Sequence, residues 1–420
     1  MPSIVIVFIL LLTQMYCLNK YDASMLFILY GTIIGAFFVQ QGVRFIGVLF
    51  IIPSLLFLLY DLRAKLNLLF HIFTPVLVVI VYFVFSILIT SGGDFAFSKL
   101  TTTLLNLTYY IIALSHFFLF RSKHNGVNLS LMICIYCLFV IHFMNETIGY
   151  LPVIDNLLSS FGGFRDEISI YKYNQENAFT FNYQMVGTMS CLALCMLQMK
   201  DNYISKRLSK YVLYALTFFI VLFSTSRQSL LAYLILSAIF VYKQNQSKIY
   251  VLFITTLGIG IFIYWISTLD MNSAQFLLGD NEFTSTGSRS LIMNTALDNF
   301  IESPFYGVGF GRFSYMGEYG LNEHNLFVEL LAETGIVGLL MFFLISYLPL
   351  KRKNKFIIDN SELIPIWGIY VTYFVRYMIS SDLRESIILL VLVLLMPYYK
   401  CWNKNGEEQN SLHLSKFERF

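Results

Sequence analysis

The chain has 420 residues, of which 57% are hydrophobic and only 13% are charged. Soluble globular domains carry roughly 25% charged residues, so the composition excludes an ordinary soluble core. The net charge is +3, and the basic residues are spread over short loops rather than gathered on one stripe, which gives no reason to expect a nucleic-acid partner.

In chain order, apolar runs fall at roughly 4–18, 24–41, 43–60, 69–90, 100–120, 128–149, 182–199, 211–226, 228–242, 249–268, 335–350, 363–380 and 386–399. A membrane-crossing helix needs about 20 apolar residues, so these are thirteen candidate spans. The count is twelve if the short first run or the tight pair around Arg227 is read differently. In lipid each backbone polar group must be satisfied within its own segment, so the spans are expected to be α-helices. The runs are continuously apolar rather than alternating, which excludes a barrel. The expected fold is therefore all-α, a single polytopic transmembrane domain over 1–420. The first run, Ile4–Leu18, lacks a basic leader and a small-residue cleavage site and reads as a span rather than a signal peptide.

Lys and Arg in short loops fix orientation. The basic loops are Asp61–Lys65, Arg121–Lys123, Lys200–Lys210, Lys243–Lys248, Lys351–Lys355 and the tail from Lys400, each two spans from the next. All six fall on one side, the cytoplasm. The other side then holds two long segments, 150–181 and 268–334. The larger contains helix-like stretches at Ser288–Ile301 and Asn325–Glu333 and is expected to form an ordered extracytoplasmic cap.

The two sides differ in their choice of cation. The cytoplasmic residues are 14 Lys and 5 Arg, whereas the outer ones are 2 Lys and 7 Arg, among them Arg227, Arg289, Arg312 and Arg376. Guanidinium bonds phosphate or carboxylate bidentately, and ammonium is a point charge. An Arg-rich outer face suits a lipid-linked diphosphate; pairing with outer acidic residues or anchoring at headgroups is the alternative. Arg227 and Arg376 lie at the outer ends of apolar runs, where a charge tends to face a polar cavity. Five of the six cysteines sit inside apolar runs, so Cys134/Cys137 and Cys191/Cys195 read as packing residues rather than metal or redox sites.

In the larger outer segment, Asn322-Glu323-His324-Asn325 is followed after nine residues by Gly335-Ile336-Val337-Gly338, which opens the next span. Before it stand Gly287-Ser288-Arg289, Ser303-Pro304 and Gly307-Val308-Gly309-Phe310-Gly311, and further back Thr225-Ser226-Arg227. These blocks, in this order over residues 170–350, resemble the superfamily of O-antigen ligases and Wzy-type O-antigen polymerases. The resemblance implies a C-type glycosyltransferase-like fold in the bacterial inner membrane, with the active site facing the periplasm. It implies glycosyl transfer from an undecaprenyl-diphosphate-linked oligosaccharide, without metal, cofactor or nucleotide. Under this resemblance His324 is the base for the acceptor hydroxyl, and Arg289 and Arg227 meet the charge developing on the leaving diphosphate. Asn325, Arg312, Arg376, Gly309 and Gly311 are the candidate substrate-binding residues.

The glycine block reads as a turn that brings backbone close to a phosphate or to another helix, or as a purely structural turn. Glu329 and Glu333 follow His324 at helical spacing; a solvated helix face is expected, with orientation of the imidazole as the alternative. The expected activity is polymerisation, with the lipid-linked repeat unit as donor and acceptor and a chain-length regulator protein as a candidate partner. Ligation to lipid A–core or to protein uses the same residues. Transport of a lipid-linked glycan would call for paired halves and ionisable residues at the bilayer midplane, a pattern that is missing here.

Overall fold

The computed structural model describes residues 21–22, 56, 58–63, 66–90, 94–120, 124–148, 183–199, 207–224, 226–244, 285–313, 325–351, 364–379 and 383–396. The runs expected as spans at 4–18, 24–41 and 249–268, the outer segment 150–181 and His324 lie outside the described residues. All secondary structure among the described residues is helical. The helices are α1 (Leu66–Ile89), α2 (Asp94–Leu119), α3 (Gly126–Ile148), α4 (Tyr183–Met196), α5 (Arg207–Phe223), α6 (Arg227–Gln244), α7 (Ser285–Glu302), α8 (Leu326–Lys351), α9 (Ile364–Ile379) and α10 (Leu383–Leu395).

Among the described residues one helix, Leu326–Tyr347, is long and apolar enough to cross a membrane by length and composition, with a mean hydropathy of 2.1. Shorter apolar helices occupy Phe73–Ile89, Gly126–Leu138, Val186–Met196, Lys210–Leu222, Gln228–Phe240 and Ser386–Leu395, each overlapping one of the runs read as spans. Large apolar side chains are also presented outward, among them Phe70, Val81 and Leu88 on α1, Leu105 on α2, Val212 and Phe219 on α5 and Leu344 on α8.

The chain divides into two compact units. The first comprises Met1–Ser54, His124–Met293 and Trp367–Ile379. Here α4 packs against α3, α5 and α6. Its sequence explains the closeness: Gly187, Ser190, Cys191, Ala193 and Cys195 are small, and small residues let helix backbones approach. A Cβ on Gly187 would collide with Ser229 and Ser224 of the α5–α6 corner. Polar atoms on these faces bond across the seams: Ser190 Oγ donates to the Thr217 carbonyl at 2.7 Å and Cys191 Sγ to that of Ser229 at 3.3 Å. The four described cysteines are free and buried, filling space between helices as their apolar surroundings predict.

The second unit comprises Leu55–Lys123, Asn294–Ile366 and Ser380–Phe420. Its α10 is apolar all round, and every residue from Ser386 to Met396 is buried. Such a helix has no solvent face to keep, and it packs against α2, α8 and α1. Further contacts join α1 to α2 and to α8. This unit holds the glycine block and the start of α8.

Candidate functional site

Helix α8 begins at a side-chain cap. The Asn325 Oδ1 atom accepts from the Phe327 and Val328 amides at 3.0 and 3.3 Å, satisfying donors that the first turn cannot pair internally. His324 is the residue directly before this cap. Asn325, a candidate substrate ligand from the sequence, thus spends its carboxamide oxygen on the helix.

Nine residues into α8 the helix breaks. Gly335 adopts φ 63° and ψ −167°, which glycine tolerates and L side chains resist. The break removes intrahelical partners, and the segment Pro304–Gly309 replaces them. The Val308 amide donates to the Ala332 carbonyl at 2.8 Å and the Gly309 amide to that of Glu333 at 3.0 Å. In return the Ile336 and Val337 amides donate to the carbonyls of Pro304 at 2.9 Å and Phe305 at 3.3 Å. The Tyr82 hydroxyl from α1 donates to the Thr334 carbonyl at 2.6 Å. Both sides need glycine: a Cβ on Gly335 would strike the Phe305 carbonyl, and one on Gly307 would strike the Ala332 carbonyl and Glu333. Gly307, Gly309 and Gly311 have φ of 67°, 111° and 78°. The two glycine blocks read from the sequence are therefore two halves of one joint. Of the readings open for Gly307–Gly311, the close approach to another helix is the one realised.

Beneath the joint lies a buried charge cluster. Lys99 Nζ of α2 lies 2.9 Å from Glu329 Oε1 and 2.7 Å from Glu333 Oε1, with all three side chains at most 1% exposed. The expectation that Glu329 and Glu333 form a solvated helix face is corrected. Their helical spacing is right, but the face they share is turned toward Lys99. Both carboxylates thus share one buried ammonium, in a place where an unpaired charge is costly. The Gly311 amide faces the Glu333 carboxylate, at a geometry that leaves Oε2 without a full hydrogen bond. A Cβ on Gly311 would press on Ala96 and on the Lys99 side chain, so this glycine lets the loop lie over the lysine.

The next residue, Arg312, is half-buried, and its Nη1 donates to the Thr90 carbonyl at the end of α1 at 2.7 Å. Within the second unit Gly309 and Gly311 thus lie against the break in α8, Arg312 bonds the end of α1, and Asn325 caps the start of α8. The sequence-derived candidates in the first unit are Arg227, the first residue of α6, Arg289, in α7, and Arg376, near the end of α9. Arg376 is buried, with its guanidinium 5.7 Å from the Tyr377 ring centroid, a cation–π arrangement. Sequence reasoning missed Lys99 and Tyr82 because their partners lie more than 200 positions away.

Among known proteins, residues 212–343 match the family model Wzy_C, described as O-antigen ligase. The matched stretch runs from α5 into α8 and includes Arg227, Arg289, both glycine blocks and His324. It covers about a third of the chain. The likeness to the Wzy/O-antigen ligase superfamily is established for these residues. It supports a polymerase- or ligase-type function in surface polysaccharide synthesis and draws no line between the two. A comparison with curated proteins gave no match.

Proposed function

We propose that the protein is an inverting glycosyltransferase that polymerises undecaprenyl-diphosphate-linked repeat units of a surface polysaccharide at the outer face of the bacterial inner membrane. The observation that carries this reading is the joint: Pro304–Gly309 and Ala332–Val337, both within the matched stretch, are bonded backbone to backbone. This gives the sequence just after His324 a rigid footing. Outward apolar side chains on α1, α2, α5 and α8 support a lipid surround, with the chain acting as one polytopic domain.

In this reading His324 takes the proton of the acceptor hydroxyl as its oxygen attacks the anomeric carbon. The carbon–oxygen bond to the diphosphate breaks, and its electron pair leaves with undecaprenyl diphosphate. Arg289 and Arg227 stabilise that charge. Attack opposite the leaving group inverts the anomeric centre. The second reading, ligation of lipid-linked glycan to lipid A–core or to protein, uses the same residues and is the activity named in the description of the matching family.

Deletion in the host, complemented by wild type or His324→Ala at equal membrane levels, separates the two. A polymerase deletion leaves a single repeat unit on the acceptor, and His324→Ala fails to restore long chains. A ligase deletion leaves bare acceptor while lipid-linked polymer accumulates. Full-length chains with His324→Ala would remove His324 from the chemistry and favour transport.

A further inference from the structure

The start of α6 carries an anomaly. Ser226 caps the helix: its Oγ accepts from the Ser229 amide at 3.3 Å and lies 2.9 Å from Ser229 Oγ, and its carbonyl accepts from the Leu230 amide at 2.9 Å. Ser224 Oγ donates to the Val221 carbonyl at 2.7 Å. These hydroxyls are settled within the protein. Gln228 is not. It is 4% exposed, and both its Nε2 and its Oε1 are buried without a hydrogen-bond partner among the described residues. A buried carboxamide with both ends unpaired is costly, and native structures retain few such groups.

Position decides what the missing partner is. Gln228 is the second residue of an 18-residue helix. Side chains in the first turn lean toward the helix N-terminus, where unpaired backbone amides and the positive end of the helix dipole also lie. An ionised diphosphate offers only acceptors and would leave Oε1 unpaired. A sugar hydroxyl both donates and accepts, so it can satisfy the two ends of a carboxamide together. Arg227, the neighbour assigned above to the diphosphate, and Gln228 would then read two groups joined by a single bond.

We propose that Gln228 is a specificity-determining residue that hydrogen-bonds a hydroxyl of the sugar attached directly to the donor diphosphate. This rests on the glycosyltransferase reading above. The two amide atoms are closed off from solvent, so the sugar reaches them as neighbouring side chains shift, and binding is an induced-fit step that stabilises the fold.

Gln228→Met tests this, because it keeps length and removes only the unpaired amide. Purified full-length protein in nanodiscs is melted alone, with undecaprenyl diphosphate, and with undecaprenyl diphosphate carrying the host's repeat unit. Expected for Gln228→Met is a melting temperature at or above wild type and an unchanged shift with undecaprenyl diphosphate. The additional shift given by the glycosylated lipid should be lost, and its KM should rise about 10- to 100-fold, the weight of the two hydrogen bonds removed. Three results overturn the proposal. In the first, the variant keeps both the additional shift and the wild-type KM. In the second, it loses the undecaprenyl diphosphate shift as well, which moves Gln228 to the phosphate. In the third, it fails to fold, which shows that the protein itself uses the amide. If wild type responds to neither lipid, the glycosyltransferase reading fails, and this proposal with it.

Discussion

Lys99 and Glu333 are 234 positions apart in the chain, yet their charged atoms lie 2.7 Å apart in a site that water does not reach. Glu329 shares the same ammonium. The cluster ties α2 to α8 one and two turns beyond the Asn325 cap.

The charge count of this cluster makes its mutants unequal. Lys99→Met takes the shared ammonium from both buried carboxylates and should lower stability by about 3–5 kcal/mol. Glu333→Gln keeps the Lys99–Glu329 contact and should cost only about 1 kcal/mol. Thermal unfolding in one detergent checks the order, and equal losses would show that the Glu333 contact matters as much as the shared ammonium.

The joint predicts a different kind of sensitivity. Gly335→Ala forces a positive φ on an L residue, at a strain of order 1–3 kcal/mol, and drives a methyl group into the Phe305 carbonyl. It should reduce both the melting temperature and the chain length of the polysaccharide. Gly338→Ala drives its methyl group onto Thr334 Oγ1 and Cβ, the latter fixed by the backbone, so it should also lower the melting temperature, though without the added strain of a positive φ. Limited proteolysis with a gel of surface polysaccharide reads both effects.

Tyr82→Phe removes a single donor and changes nothing else in size. The Thr334 carbonyl at the break then loses its 2.6 Å partner and is left unsatisfied, at about 1–3 kcal/mol. A melting temperature equal to wild type would mean that water or the backbone takes over.

His324 and Asn325 should separate cleanly although they are adjacent. His324→Ala is expected to leave the melting temperature unchanged and to cut turnover about 10²–10⁴-fold, the weight of a general base. Asn325→Ala removes the cap and should cost about 0.5–2 kcal/mol of stability, whereas Asn325→Asp retains a capping oxygen. Melting curves and single-turnover assays on the three proteins decide the assignment. EDTA should leave the turnover of wild type unchanged if the proposed transfer proceeds without a metal.

The helices at 66–89, 126–148, 183–196 and 383–395 were legible because continuous apolar runs need no knowledge of partners. The change expected between a cap helix ending near Glu333 and a span opening at Gly335 is found as the break in α8. Each glycine block was visible alone. Their pairing was not, because nothing in the local pattern tells one tight turn from another. Glu329 and Glu333 were misread for a similar reason: a helix face with two carboxylates looks solvated until a lysine from another helix is set against it. Asn325 shows a signal passed over, since Asn immediately before an apolar helical run is a capping position on sequence grounds alone.

The backbone exchange between Pro304–Gly309 and Ala332–Val337 also constrains how relatives of this chain can be recombined. Neither stretch is a self-contained module, because each supplies the donors and acceptors that the other lacks. Chimaeras that import one stretch from a relative should assemble poorly, while those that import both together should retain a working scaffold. For anyone redirecting such an enzyme to a new glycan, the unit of exchange is the pair.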